Sequence, residues 1–99
     1  MRVIARKTLR EFWERPGRAD AEGPLKAWFR EAARADWSSP SDVKAAFRNA
    51  SILRNSRVVF NIAGNKYRLV VSVNYAYQIM YVRFIGTHRD YDAIDAEQA

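Results

Sequence analysis

The chain contains no cysteine, and His88 is its one histidine among 99 residues. Without cysteine the protein has no disulfide, no thiolate metal site and no cysteine nucleophile. A lone histidine excludes a multi-histidine metal site, and the carboxylates show no spacing typical of metal ligands. We therefore expect a protein that uses neither a metal nor another cofactor.

Long apolar runs are also missing from the sequence. No stretch approaches the roughly 18 apolar residues that a transmembrane helix needs. Residues 1–13 carry a charge every few positions, so they lack the apolar core of a signal peptide. There is no internal repeat, low-complexity tract or linker. We expect one domain, residues 1–99, in the cytoplasm and without a membrane partner.

Acidic residues are fewer than basic ones, 11 against 17, which gives a formal net charge of +6 and a pI near 10.1. The imbalance is local. Residues 1–83 contain 16 basic and 7 acidic residues, whereas residues 84–99 contain one basic residue, Arg89, and 4 acidic residues. Of the basic residues 13 are arginine, whose planar guanidinium binds phosphate oxygens in pairs. This charge favours an anionic partner, whether RNA, DNA or an acidic protein.

The first half of the sequence has helical periodicity. A short strand is predicted at residues 2–4, followed by a helix that ends before Pro16-Gly17. A second helix is predicted to start near residues 20–24 and to run towards residue 35, with apolar residues at i, i+3, i+4 and i+7. The segment Ser39-Pro40-Ser41-Asp42 predicts a capping box with proline at the first helical position, and a third short helix through Phe47.

The second half switches to a period of two residues. An antiparallel meander of three strands is predicted at Arg57–Ile62, Lys66–Asn74 and Gln78–Thr87. Alternation places their apolar side chains, Phe84 included, on the one face where the helices pack. The segment Thr87-His88-Arg89-Asp90 predicts a second capping box and a short C-terminal helix through about residue 95. The predicted fold class is α+β, with helices covering one face of an antiparallel sheet.

Polar side chains form a row on the opposite face of this predicted sheet. If both hairpin turns have two residues, Asn61 lies opposite Arg68 and Arg68 lies opposite Arg83, with Lys66 beside them. Two arginines that face each other across a ladder repel, and no strand residue supplies a carboxylate. Such a break in pairing rules is expected at a functional site, so the row predicts a phosphate or another anion between Arg68 and Arg83. The alternatives are that the two guanidinium groups splay into water or pair with the acidic C-terminal segment.

Two motifs in these strands are familiar. Residues 60–68 read FNIAGNKYR and resemble the F-N-x-x-G-N-x-x-R hairpin of the HigB toxins. Residues 83–92 read RFIGTHRDYD and are similar to the R-x-x-x-T-H-x-x-Y-D end of the same family. The front of the chain also resembles this family, from the Met-Arg-Val-Ile start through Trp37 to the SPSDVK segment at residues 39–44. The chain is thus similar over nearly its whole length to HigB toxins, which belong to the RelE/ParE superfamily of type II toxin–antitoxin systems.

The resemblance implies a RelE-like fold, with N-terminal helices packed on an antiparallel sheet and a short C-terminal helix. It implies a metal-independent endoribonuclease that cleaves mRNA, commonly on the ribosome, and so inhibits translation. It also implies a HigA-type helix-turn-helix antitoxin as the partner, with operator DNA bound only through that antitoxin.

Metal-free RNA cleavage uses the substrate's own 2′-OH as the nucleophile, and it needs positive charge on the phosphate together with an acid and a base. Arg68 and Arg83 are the candidates for charge stabilisation. His88 is the candidate acid or base, because its unperturbed pKa lies near neutrality. Tyr91, three residues later, is expected to donate a proton or to stack on a base, and Lys66 to bind or act on the scissile phosphate. The alternatives are an ordinary helix residue for His88 and a partly buried core residue for Tyr91.

Three further side chains are candidate RNA contacts. Asn61 belongs to the polar row, and Arg54 and Arg57 lie before and at the start of the first long strand, where solvated loop charges are the alternative. Two other functions stay open. One is a toxin that binds RNA or the ribosome without cutting it, and the other is a protein-interaction module that binds only its antitoxin.

Overall fold

The computed structural model describes residues 1–99 and contains four α-helices, one 3-10 turn and five strands. The strands are β1 (Arg2–Ile4), β2 (Ser51–Ile52), β3 (Arg57–Ile62), β4 (Tyr67–Asn74) and β5 (Ile79–Thr87). The helices are α1 (Arg6–Trp13), α2 (Glu22–Arg34), α3 (Pro40–Ala46) and α4 (His88–Asp92), and the 3-10 turn, Ala19–Ala21, precedes α2. None of these helices is both long and apolar enough to cross a bilayer.

The five strands form one sheet in the order β1-β5-β4-β3-β2. The predicted antiparallel meander β3-β4-β5 is confirmed, and β3 has the predicted bounds. The predicted α+β fold class is confirmed, and the sheet is mixed because the edge strand β1 pairs with β5 in parallel. The two-residue strand β2 adds an unpredicted antiparallel edge beside β3.

Helices α1, α2 and α3 bury their apolar stripes against one face of the sheet. The helical periodicity of the sequence predicted which residues face the sheet. The prediction is confirmed by the burial of Leu9 and Phe12 of α1 and of Leu25 and Trp28 of α2. The Trp28 ring meets Phe60 of β3 edge to face, with centroids 5.3 Å apart. Each large apolar side chain buried in this way stabilises the fold by roughly 1.5–3 kcal/mol. The helix layer therefore occupies one face and leaves the other to α4 and the C-terminal segment.

A β-bulge in β5 changes which side chains face the helices. Val71 pairs with Val82, but the next pair along the ladder is Val70 with Phe84, so Arg83 is an extra residue without a partner. The bulge reverses the alternation of β5, and the prediction that Phe84 faces the helices is wrong. Phe84 instead packs on the far face.

The far face carries a second, smaller apolar cluster. Val59 and Val70 are buried there beneath Ala96, and the partly buried residues around them include Phe84 and Tyr91. The C-terminal segment therefore covers part of the far face of the sheet. Both faces of β3 and β4 are covered in the middle, which explains why these strands contain adjacent apolar residues.

The two predicted capping boxes have different outcomes. The box at α4 is confirmed: Thr87 Oγ1 accepts the Asp90 N–H at 3.1 Å, and Asp90 Oδ2 accepts the Thr87 N–H at 3.2 Å. The helix ends at Asp92, short of the predicted end. The box at α3 is wrong, because the Asp42 carboxylate accepts the backbone N–H and the hydroxyl of Ser38 instead. These two hydrogen bonds, the backbone one first, lower the pKa of Asp42.

Candidate active site

Arg68 and Arg83 lie on the same face of the sheet, away from helices α1–α3. Arg68 alternates with Val70 of the far-face cluster, and the Arg83 Nε–H donates to Ser72 Oγ on that face at 2.9 Å. The predicted direct pairing of Arg68 with Arg83 is wrong. Arg68 lies opposite Gly86, because the β4–β5 turn is centred on Ala76-Tyr77, one residue later than predicted, and the bulge adds another residue. The Val70–Phe84 pair separates the two arginines.

Neither arginine has a carboxylate partner. The ion pairs of the structure are Glu22–Lys26 and Asp20–Lys66, and the Asp92 carboxylate contacts the His88 imidazole. The acidic C-terminal segment packs on the same face and still supplies no carboxylate to Arg68 or Arg83, so that alternative is excluded in this structure. Arg83 is exposed and lies over the Tyr81 ring, 5.3 Å from the centroid. Two uncompensated positive charges therefore remain available to an anion.

Arg68 sits at the end of the β3–β4 hairpin, where its own turn fixes its side chain. Its Nη1 donates to the backbone oxygen of Asn65 at 2.8 Å. Asn61 lies opposite Arg68, as predicted, and its Nδ2 donates to Asn65 Oδ1 at 3.3 Å. Gly86 on the other side has no side chain, and a Cβ there would come within 2.6 Å of the Phe84 ring. The glycine is therefore required for the close packing of Phe84 beside Arg68.

A cavity of about 370 Å³ borders the hairpin next to Asn61. Its lining combines apolar and polar side chains from the α3–β2 connection and β3, with Phe60, Asn61 and Gly64 on the hairpin side and Arg48 and Asn49 opposite. Amide and guanidinium groups around one cavity are able to form hydrogen bonds with a nucleobase or a ribose.

Lys66 is held by an acidic residue that the sequence did not reveal. Its ammonium pairs with Asp20 Oδ2 of the 3-10 turn, while the Tyr67 hydroxyl donates to Asp20 Oδ1 at 2.6 Å. The hydrogen bond with Asp20 raises the pKa of Lys66, and the same bond lowers the pKa of Asp20. Lys66 thus directs its ammonium toward the α1–α2 connection, beside the arginine row and not within it.

His88 lies at the start of α4, close to the hairpin. Its backbone N–H donates to the Lys66 oxygen at 3.4 Å, which joins α4 to the β3–β4 turn. Its Nδ1 is 3.0 Å from Asp92 Oδ2, one helical turn later. That contact leaves Nε2 of the exposed imidazole without a partner in the chain. Tyr91 is half-buried against the far-face cluster, on the same face of the sheet as Arg68 and Arg83.

Arg54 and Arg57 lie at the β2–β3 connection, where the C-terminal segment passes. The Arg57 Nε and Nη2 donate to the Ala99 carbonyl oxygen at 2.9 and 2.6 Å. The backbone N–H of Arg54 donates to Glu97 Oε2 at 3.2 Å, and its exposed side chain makes no hydrogen bond. Arg57 is therefore engaged within the protein, whereas the Arg54 guanidinium is free.

The α1–α2 connection contributes residues that sequence reasoning missed. Asp20 is one of them. Arg18 is another, since its guanidinium lies 5.8 Å from the Tyr67 ring centroid. No local motif marks Asp20 or Arg18, because their partners lie more than 40 positions away in the sequence.

The charges of this connection also reach α4. Hydrogen bonds from the Thr87 N–H and hydroxyl, followed by the charges of Arg18 and Arg15, lower the pKa of Asp90.

The site therefore lies at the hairpin end of the sheet and extends along its far face. It offers two free guanidinium groups, a charged lysine and an exposed imidazole. The structure contains no group of three or more His, Cys, Asp or Glu side chains arranged to hold a metal ion. Groups of these types are able to bind phosphate and to transfer protons.

Comparisons with known proteins agree with this architecture. A family model described as HigB_toxin, RelE-like toxic component of a toxin-antitoxin system, matches residues 21–94. The mRNA interferase toxin HigB of Escherichia coli K12 is 30% identical over 98 residues, which cover 97% of this chain and 92% of that protein. The mRNA interferase HigB of Shigella flexneri has the same identity and coverage. A third relative, the mRNA interferase HigB of Escherichia coli O6:H1, is 28% identical over 72 residues, 71% of this chain and 70% of its own.

Helices on one face of a sheet and free arginines on the other are consistent with the predicted RelE-like fold, and the family match extends over most of the chain. The chain belongs to the HigB family of toxins, the toxic components of toxin–antitoxin systems.

Proposed function

We propose that this protein is an endoribonuclease that cleaves mRNA, with the 2′-OH of the RNA as the nucleophile. The observation that carries the proposal is the pair of uncompensated guanidinium groups, Arg68 and Arg83, on the face of the sheet opposite the helices. The names of the relatives, which are mRNA interferases, support the same activity.

The two arginines bind different phosphates of one RNA strand. Ser72, which Arg83 contacts, is four residues from Arg68 along β4, or about 13 Å at 3.3 Å per residue. In this structure the Asn65 carbonyl holds the Arg68 guanidinium at the hairpin end and Ser72 holds that of Arg83 further along the strand, so two anchoring points replace the hypothesis of a shared anion. RNA that spans them passes over the Val70–Phe84 pair.

The reaction transfers the 2′-OH proton to a base while the 2′ oxygen attacks phosphorus. The bond from phosphorus to the 5′ oxygen then breaks, and an acid protonates that oxygen, which leaves a 2′,3′-cyclic phosphate and a free 5′-OH. His88 is the proposed proton-transfer group, because its Nδ1 contact with Asp92 orients the ring and leaves Nε2 open. Lys66 remains an ammonium, because its contact with Asp20 raises its pKa. It therefore stabilises the negative charge that develops on the phosphate.

The remaining candidates bind the RNA on either side of this centre. Tyr91 contacts a base or donates a proton from the edge of the far-face cluster. Asn61 faces the cavity beside the hairpin, where it is placed to bind a nucleotide. Arg54 has a free guanidinium for the RNA backbone, and Arg57 joins it when its contact with Ala99 is released.

The partners follow from the family and are part of this proposal. The mRNA is cleaved while it is on the ribosome, in the cytoplasm. A HigA-type helix-turn-helix antitoxin neutralises the toxin, and operator DNA is bound only by that antitoxin. An antitoxin gene beside the toxin gene is the genomic arrangement that we expect.

A translating cell-free extract tests the proposed activity. We expect purified protein to cut a reporter mRNA within its translated region, and the 3′ fragment ends to carry cyclic phosphate or 3′-phosphate. The control is the same mRNA with translation blocked at initiation, which separates ribosome-dependent cleavage from cleavage of free RNA. Intact mRNA with the protein retained on ribosomes would instead indicate a non-catalytic binder, and intact mRNA with no binding would indicate an antitoxin-binding module.

A further inference from the structure

The Asp20 carboxylate joins two parts of the chain that are distant in sequence. It lies in the 3-10 turn between α1 and α2, and it receives Lys66 and Tyr67 from the start of β4. One carboxylate oxygen accepts the Tyr67 hydroxyl at 2.6 Å, and the other pairs with the Lys66 ammonium. The α1–α2 connection is therefore tied to the hairpin that carries the candidate site.

The two partners of Asp20 differ in their surroundings. Tyr67 is fully buried, with 0% of its surface exposed, so the hydroxyl that holds Asp20 is fixed by the core. Lys66 has 55% of its side chain exposed, so its ammonium is accessible to a ligand from solvent. An ion pair this exposed contributes little to stability. A fixed carboxylate that holds an accessible ammonium is better explained by a role in the orientation of Lys66 than by a role in folding.

Lys66 occupies a central position between the other candidate groups. Its backbone oxygen accepts the His88 N–H, and the neighbouring Asn65 oxygen accepts the Arg68 guanidinium. A lysine side chain has four rotatable bonds, so neither backbone contact determines where its ammonium lies. In this structure the contact with Asp20 determines it.

We propose that Asp20 is a positioning residue for RNA cleavage, which acts by holding the Lys66 ammonium at the hairpin end of the sheet, where the scissile phosphate binds. This inference rests on the function proposed above. An ammonium has three N–H donors, and Asp20 takes one of them, so two remain for phosphate oxygens. The raised pKa of Lys66 agrees with this role, since Asp20 stabilises the charged form.

A double-mutant cycle tests whether Asp20 acts through Lys66. Asp20→Asn keeps an amide oxygen for the Tyr67 hydroxyl and turns an amide nitrogen, itself a donor, toward Lys66. We expect Asp20→Asn to lower the initial rate of reporter mRNA cleavage by up to about 100-fold, the loss that a misplacement of about 1 Å can produce. Lys66→Ala should lower the rate at least as much. The double variant should be no slower than Lys66→Ala alone, because Asp20 then has nothing left to position.

Two further variants separate positioning from folding. Asp36→Asn changes another exposed aspartate, in the α2–α3 connection, and should leave the cleavage rate unchanged. Tyr67→Phe removes the buried hydroxyl and keeps the ion pair, so it should lower the melting temperature more than Asp20→Asn does and slow cleavage less.

Each outcome of the cycle has a definite meaning. Additive losses in the double variant would show that Asp20 acts independently of Lys66, and an unchanged or faster Asp20→Asn enzyme would show that the carboxylate does not assist it; either result overturns the inference while the proposed function stands. If the unmodified protein fails to cut mRNA in the extract, the proposed function fails and this inference fails with it.

Discussion

At the scale of single residues, the proposed site depends on guanidinium groups that have no carboxylate partner in the fold. Arg83 is the extra residue of the β-bulge, so its direction is set by the bulge and by its hydrogen bond to Ser72. Arg68 is held by the Asn65 carbonyl, a neutral group that orients the side chain without cancelling its charge. Charge oriented in advance stabilises a transition state more than charge that must first reorganise.

Removal of either guanidinium should therefore abolish most cleavage and leave the fold intact. We expect Arg68→Ala and Arg83→Ala each to slow reporter mRNA cleavage by about 100- to 1000-fold, the loss typical when one oriented donor to a transition state is removed. Neither side chain belongs to the apolar core, so Arg68→Ala should change the free energy of unfolding by no more than about 0.5 kcal/mol. Arg83→Ala should lower it by about 1 kcal/mol, because the hydroxyl of the buried Ser72 loses its hydrogen-bond donor. Primer extension on the reporter measures the first quantity and circular dichroism melting the second.

The matched control for these substitutions is Arg30→Ala, which removes an exposed arginine from α2 on the opposite layer. It should retain the full cleavage rate. A protein with both Arg68 and Arg83 replaced by alanine that still arrests growth would mean that the phosphate is bound elsewhere.

At the scale of secondary-structure elements, the predictions succeeded where local pattern determines structure. The bounds of β3 and the pairing of Asn61 with Arg68 follow from alternation and from the Gly64-Asn65 turn, and the structure has both. The box at Thr87 is likewise local. These features depend on residues within a few positions of one another, so one sequence is enough to find them.

The errors concern features that alternation cannot report. The β4–β5 turn lies one residue later than predicted and β5 has a bulge at Arg83, and no turn residue such as glycine marks either feature. The far-face cluster around Val59 and Val70 depends on where the C-terminal segment returns to the sheet. The contact of Asp20 with Lys66 is set by tertiary packing. The candidate residues were therefore identified from motifs, whereas their geometry required the structure.

The capping box of α4 gives a prediction at this scale. Thr87→Ala removes the hydroxyl that accepts the Asp90 N–H, so it should lower the free energy of unfolding by about 1 kcal/mol. Because α4 carries His88 and begins beside Lys66, the same variant should also slow cleavage. Denaturant unfolding at neutral pH measures the stability. Thr8→Ala, an exposed threonine within α1, is the control and should have little effect on either quantity.

The Asp90 carboxylate of the α4 capping box makes the stability of the protein depend on pH. The pKa of Asp90 is lowered from the ordinary value of 3.8, chiefly by hydrogen bonds from the Thr87 N–H and hydroxyl. A lowered folded-state pKa means that the stabilisation is complete above 3.8 and is lost as the pH falls through the folded-state value. We expect the wild type to be more stable than Asp90→Asn at pH 7, and this advantage to disappear in acid. An advantage that persists in strong acid would contradict the cap as its source.

At the scale of the whole molecule, charge is divided between the body and the C-terminal segment. Residues through Arg83 are basic in excess. The acidic C-terminal segment packs on the sheet through Ala96, and its Glu97 carboxylate accepts the Arg54 N–H in the β2–β3 connection. The segment crosses the face that carries Arg68 and Arg83 without pairing with either. The acidic C-terminal segment therefore lies beside the basic far face and does not neutralise its arginines.

This arrangement predicts how RNA binding depends on salt. Each phosphate that the protein neutralises releases counterions, so the logarithm of the binding constant should fall linearly with the logarithm of salt concentration, by about 0.7 per contact for a single strand. If Arg68 and Arg83 bind separate phosphates, each alanine variant should reduce the slope by about 0.7, and the double variant by about 1.4. Fluorescence anisotropy with a 2′-O-methyl oligonucleotide measures the slope without cleavage, because the nucleophile is blocked. Arg30→Ala should leave the slope unchanged, since that side chain projects from the helix layer. A double variant that loses no more slope than either single variant would instead place both guanidinium groups on one phosphate.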